Sequence, residues 1–208
     1  MSVVGGTSTT GLVTRVQNML TKPAAEWDVV AAEPATVAGI YTGYAVILAA
    51  IGPIAGLIGS VLLLHANPIG ALIGAVLQYA LGLVGVFVSA FIIDALAPSF
   101  GGEKNQVQAL KLVAYANTAV WVAGIANIIP LLGGLVTLVG FIYTLYTLYL
   151  GLPKLMKNPA DKTVGYFVVS IIVEIVVYGL ILMIVGAIIT TLAIGAMATG
   201  AAAMGGIH

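Results

Sequence analysis

From Thr36 onward the chain is divided into apolar stretches whose length decides what it can fold into. They run over about 36–64, 69–97, 106–128, 131–152, and from near 163 past 190. A helix needs roughly 20 apolar residues to cross a bilayer, and each stretch is long enough. None alternates polar with apolar residues, as lipid-facing strands do. The expectation is an all-α protein, a polytopic transmembrane bundle of five spans. Composition agrees, with 61% of the 208 residues hydrophobic and 7% charged, against roughly 25% charged in a soluble domain.

The connections HANPIG, PSFGGEKNQ, NIIPLLGG and GLPKLMKNPADKT are short and marked by Gly, Pro or Asn. Short loops make successive helices antiparallel neighbours. All seven basic residues then fall on one side. Arg15 and Lys22 precede the first span, Lys104 and Lys111 lie at the second connection, and Lys154, Lys157 and Lys162 lie in the fourth. The positive-inside rule places that side in the cytoplasm, with the N-terminus inside and, after five spans, the C-terminus outside. Three parts follow: a cytoplasmic amphipathic segment over 1–35, a five-span domain over 36–195, and a small-residue tail over 196–208. A sixth span within 186–205 is the alternative, although no Pro, Asn or charged residue marks a turn there. Residues 1–11 do not read as a secretory signal, and the final GGIH is not a lipidation motif.

Residues 10–22, TGLVTRVQNMLTK, put Leu12, Val13, Val16, Met19 and Leu20 on one helical face. Pro23 stops that helix. The following AAEWDVVAAEP offers a second short helix, with Trp27 expected at headgroup level between Glu26 and Asp28. The pair should lie on the leaflet or pack on the bundle; docking a cytosolic partner is the sharper reading. Glycines four apart, at 39 and 43, 52 and 56, and 70 and 74, predict close helix approach within the chain or across a homo-oligomer. Pro53 is expected to kink the first span.

Polar residues inside the spans are the candidate sites. Glu174 sits in VVSIIVEIVVYG with no basic residue or His within ten positions. A charged carboxylate at the bilayer centre costs about 2.5–3.5 kcal/mol or more. It is therefore either neutral and hydrogen-bonded, or it faces polar groups such as Asn117, Tyr143 and Tyr146. Lys111 can snorkel toward the cytoplasm or clamp the hairpin by pairing with Asp94. Tyr143 lies deep enough that its hydroxyl needs a partner. Net charge is zero and cysteine is absent, which leaves no electrostatic case for nucleic acid and no thiolate or disulfide chemistry. With His65 and His208 as the histidines, no nucleophile–histidine or metal-ligand pattern is available. No enzyme activity, cofactor or metal is expected.

The segments LTKPAAEWDVVAAEPATVAGIYTGY, GGEKNQVQALKLVAYANTAVWVAGI and LYTLYLGLPKLMKNPADKTVGY, set in a five-span plan, resemble the prokaryotic branch of the Yip family, membrane proteins named for interaction with Ypt/Rab GTPases. The most specific parts are the loop with Gly101, Gly102, Glu103 and Lys104, and the turn with Gly151, Pro153 and Lys154. The resemblance implies a five-span bundle with a cytoplasmic N-terminus, and in eukaryotic members roles in trafficking and membrane shaping. The Asp-Leu-Tyr-Gly-Pro motif of those members and a long N-terminal region are missing here, so a Rab-type GTPase is not an expected partner. The expected home is the cytoplasmic membrane of a bacterium or archaeon. Two functions are carried forward. One is a non-enzymatic scaffold or adaptor that binds membrane lipids or a protein partner. The other is a small transporter in which Glu174 responds to an ion or proton.

Overall fold

The computed structural model describes residues 9–177, 179, 180 and 183. The chain divides into two units, Met1–Phe167 and Val168–His208. In the first, two short helices, α1 (Thr9–Thr21) and α2 (Pro23–Ala32), precede four helices long and apolar enough to cross a membrane. These spans are Val37–Leu63, Pro68–Phe100, Gln106–Ile128 and Pro130–Leu155. No strand occurs among the described residues.

Local chemistry sets the boundaries. Thr36 Oγ1 accepts from the amide of Gly39 at 3.0 Å and caps the first span. Asn67 Oδ1 accepts from the amides of Ile69 and Gly70, both at 3.0 Å, ahead of Pro68 at the first helical position. Asn105 caps the third span through the amide of Gln108, at 3.1 Å. Each cap satisfies amides that a helix start leaves orphaned. The first span is not one continuous α-helix. A π turn occupies Tyr41–Ala45, and regular helix breaks again at Ala50 before resuming at Ile51–Leu63. The second break falls one turn ahead of Pro53, whose ring leaves the carbonyl of Ala49 without its usual donor.

Glycines set how closely the spans approach. A Cβ on Gly124 would lie 2.8 Å from Gly52 Cα, and one on Gly59 would lie 2.3 Å from the carbonyl oxygen of Ile128. The first and third spans therefore touch backbone to backbone, where dispersion replaces the hydrophobic drive that lipid removes. Gly56 faces Asn127 in the same seam. The other two expected pairs behave differently. A Cβ on Gly39 would meet Thr36 Oγ1 alone, and one on Gly74 would meet nothing within 4 Å among the described residues. Among the described residues, Gly39 and Gly74 bring no helices together.

Burial is uneven along the bundle. Toward the end that carries the basic residues, Tyr44, Leu48, Ile93, Leu110, Leu112, Leu152, Leu155 and Met156 are buried, along with Met19, Trp27 and Val30 from the short helices. Toward the other end, large apolar side chains such as Leu62, Ile69, Leu72, Val76, Leu131 and Leu135 are exposed. Exposed apolar side chains are dense from Ile47 on the first span, Phe91 on the second and Ile142 on the fourth, with Val37, Tyr146 and Tyr149 exposed nearer the basic end. An apolar belt of this extent is stable against acyl chains and not against water. α1 and α2 thicken the bundle where the belt ends.

In the second unit residues 168–177, 179, 180 and 183 are helical. The rest of the expected fifth span, the alternative sixth span over 186–205 and the tail over 196–208 lie outside the described residues.

Candidate functional site

Polar residues of α1, α2 and the residue that ends α2 meet at one guanidinium. Arg15 Nη1 pairs with Glu26 Oε1 at 2.5 Å, and Arg15 Nη2 pairs with Glu33. Asn18 Nδ2 donates to the second oxygen of Glu26 at 2.9 Å. The guanidinium also lies over the ring of Tyr115 from the third span, 5.4 Å from its centroid, a cation–π contact. Burial works against the Arg15 charge, but the hydrogen bond and charge of Glu33, with the charge of Glu26, outweigh it and raise its pKa above the ordinary arginine value. Sequence reasoning passed over this hub. Its signal was present in Arg15 and Asn18 three apart and Glu26 and Glu33 seven apart, spacings that put each pair on one helix face.

The third span closes the end of α2. Lys111 is buried, and its ammonium donates to the carbonyl oxygen of Val30 at 2.8 Å and to that of Glu33. Gln108 Nε2 donates to the carbonyl of Ala31 at 3.2 Å. The last carbonyls of a helix lack intrahelical donors and carry its negative dipole end, so a cation is favoured there. This corrects the expected Lys111–Asp94 clamp. No ion pair joins them among the described residues. Asp94 is buried with its Oδ1 outside any hydrogen bond.

Trp27 packs on the bundle. The ring is fully buried, and its indole N–H donates to the carbonyl of Thr147 at 2.9 Å. Gly151 makes the room, because a Cβ there would lie 2.7 Å from Trp27 Cε2 and 2.5 Å from Leu112 Cδ1. Lys154 fastens the same helix from outside, 2.6 Å from Asp28 Oδ1 and 2.6 Å from the carbonyl of Ala24. Pro153 lies within the last turn of the fourth span.

The two loops at this end are joined as well. Gly101 takes a left-handed φ of 72° after the turn Ala97–Phe100, which glycine adopts without strain. A Cβ on Gly102 would lie 2.7 Å from the carbonyl oxygen of Met156. The amide of Glu103 donates to that same oxygen at 2.8 Å. Glu103 also pairs with Lys157 at 2.7 Å, both exposed, and Lys104 is exposed beside them.

The remaining candidates are used locally. Asn117 Nδ2 donates to the carbonyl of Val113 at 2.9 Å on its own helix. Tyr143 donates to the carbonyl of Leu20 at 2.8 Å, so its partner is the end of α1. Tyr146 is exposed one turn nearer the basic end than Ile142, its ring 5.7 Å from that of Tyr143. Glu174 belongs to the second unit.

A cleft of about 630 Å³ opens beside the Arg15 hub, walled by α1, residues 33–36 and the first turns of the first span. The π turn puts Tyr44 into its wall, where the hydroxyl lies 2.6 Å from Thr118 Oγ1 and the ring meets Tyr115 edge-on at 4.6 Å. One extra residue per turn re-aims the side chains that follow it, and such turns concentrate at functional sites. Among the described residues no group of three His, Asp or Glu side chains could hold a metal.

The model of the Yip1 domain matches residues 18–183. The chain belongs to the Yip1 family. No curated protein and no solved structure matches it. The Yip1 match takes in α2, all four described spans and both loops of the basic end. Arg15 lies just ahead of its first residue.

Proposed function

We propose that this Yip1-family protein is a non-enzymatic scaffold or adaptor of a prokaryotic cytoplasmic membrane. It binds lipids or a protein partner through its basic end. The observation that supports this reading is that α1, α2 and both loops of that end are tied into one ordered surface. The ties are Arg15 to Glu26, Trp27 to Thr147, Lys111 to Val30, Lys154 to Asp28, and Glu103 to Met156. Charged side chains remain exposed on it at Lys22, Asp28, Lys104, Asp161 and Lys162. The excess of Lys and Arg orients this end toward the cytoplasm, with the N-terminus inside and the C-terminus outside. Glu174 is then a neutral packing residue.

Reconstitution tests the reading. Liposomes holding the purified protein and a trapped pH dye are expected to leak protons no faster than empty ones. A leak that Glu174→Gln removes would instead make the protein a transporter.

A further inference from the structure

We propose that the cleft beside Arg15 binds the zwitterionic headgroup of an aminophospholipid, its phosphate on Arg15 and its ammonium on Glu33. This rests on the reading of the protein as a lipid- or partner-binding membrane scaffold, and names the ligand.

The cleft has the size of a small-molecule site, typically about 300–1,000 Å³, and its lining is mixed. Arg15, Glu33 and Thr36 line it with polar groups, whereas Leu12, Pro34, Ile40 and Gly43 supply apolar wall. Gly39 keeps the wall open, since a Cβ there would face Thr36 Oγ1 and no neighbouring helix. Its wall at Gly43 and Tyr44 lies one turn short of Ile47, from which densely exposed apolar side chains run toward the other end of this span. A headgroup held at Arg15 would therefore send its acyl chains directly into the bilayer.

Charge balance selects a zwitterion. Arg15 and Lys111 face Glu26 and Glu33, which sums to zero. Lys111 is taken up by the carbonyls of Val30 and Glu33, and Arg15 by the two carboxylates. An anionic headgroup that drew Arg15 away from Glu33 would leave that carboxylate uncompensated beside a second negative charge. A phosphodiester carrying an ammonium replaces the Arg15–Glu33 pair with two new pairs and leaves the balance unchanged. Glu33 can make the exchange, because its side chain is 43% exposed while that of Glu26 is 9% exposed.

The test uses the full chain in detergent. Binding is read by native mass spectrometry and melting temperature with dioctanoylphosphatidylethanolamine, dioctanoylphosphatidylglycerol and glycerophosphoethanolamine. The ethanolamine lipid is expected to bind and raise the melting temperature. The glycerol lipid and the free headgroup are expected to bind at least about tenfold more weakly, as when one charge-assisted contact or the acyl burial is lost. Gly39→Leu fills the cleft and should abolish the shift. Glu33→Gln, which leaves Arg15 paired with Glu26, should weaken binding about tenfold. Equal binding of the glycerol lipid, equal binding of the free headgroup, or unchanged affinity in Glu33→Gln would each overturn the assignment. Should Gly39→Leu fail to fold, the Glu33→Gln affinity decides alone. The proton-leak experiment addresses the scaffold reading separately, so the two can fail independently.

Discussion

The ammonium of Lys111 lies 2.8 Å from the carbonyl oxygen of Val30, joining the third span to the end of α2. This contact separates two accounts of a buried lysine. If the ammonium serves the helix end, Lys111→Met removes a charge whose partners are neutral carbonyls. The expected loss is about 1–3 kcal/mol, the cost of leaving buried acceptors unpaired. Asp94→Ala should then add to it independently. A double-mutant cycle on melting temperature with strong coupling between positions 94 and 111 would restore the Asp94 clamp.

Arg15 and Glu26 make a stricter prediction. Both side chains are largely buried. Arg15→Met leaves the Glu26 carboxylate without its cation, which in a buried pair costs about 3–5 kcal/mol. Adding Glu26→Gln should recover much of that loss. Chemical denaturation of both variants in the same detergent measures it, and equal stability of the single and double variants would mean that the pair is solvated.

Gly151 is the third. Alanine there meets both Leu112 and the Trp27 ring closer than real Cβ atoms approach. Gly151→Ala should cost about 1–3 kcal/mol through overpacking. Combined with Trp27→Phe, which shortens the ring, the loss should be less than additive. A silent Gly151→Ala in a thermal melt would show that α2 is not seated on the fourth span.

The spans were legible in the sequence and their partners were not. The first was expected over 36–64 and lies at Val37–Leu63, and the third was expected over 106–128 and lies at Gln106–Ile128. Prolines and capping Asn and Thr residues mark these ends locally, so the sequence carries them. The amphipathic face of α1 was also readable: Met19 is buried, although Val13 on the same face is exposed. What escaped depends on long-range pairing. Nothing near Trp27 in sequence says that its indole will meet Thr147, 120 residues away. Hydropathy treats Lys111 as a charge to be snorkelled, because it does not register the open carbonyls of another helix. The π turn at Tyr41–Ala45 has no compositional signature, and without it the cleft has no visible wall.

Orientation is the fourth prediction. Single cysteines in place of Lys104 and Asp161 should resist an impermeant thiol reagent in intact cells, while one in place of His65 should react. All three side chains are exposed. The reverse pattern would place the basic end outside.

The most direct test of the scaffold account is photo-crosslinking in living cells from the surface it assigns to recruitment. A photoreactive residue at Asp28 or Lys104 is expected to give discrete adducts with lipid or with one protein, and the same residue at His65, on the opposite end, is expected to give none. Adducts from His65 with none from Asp28 or Lys104 would contradict the account.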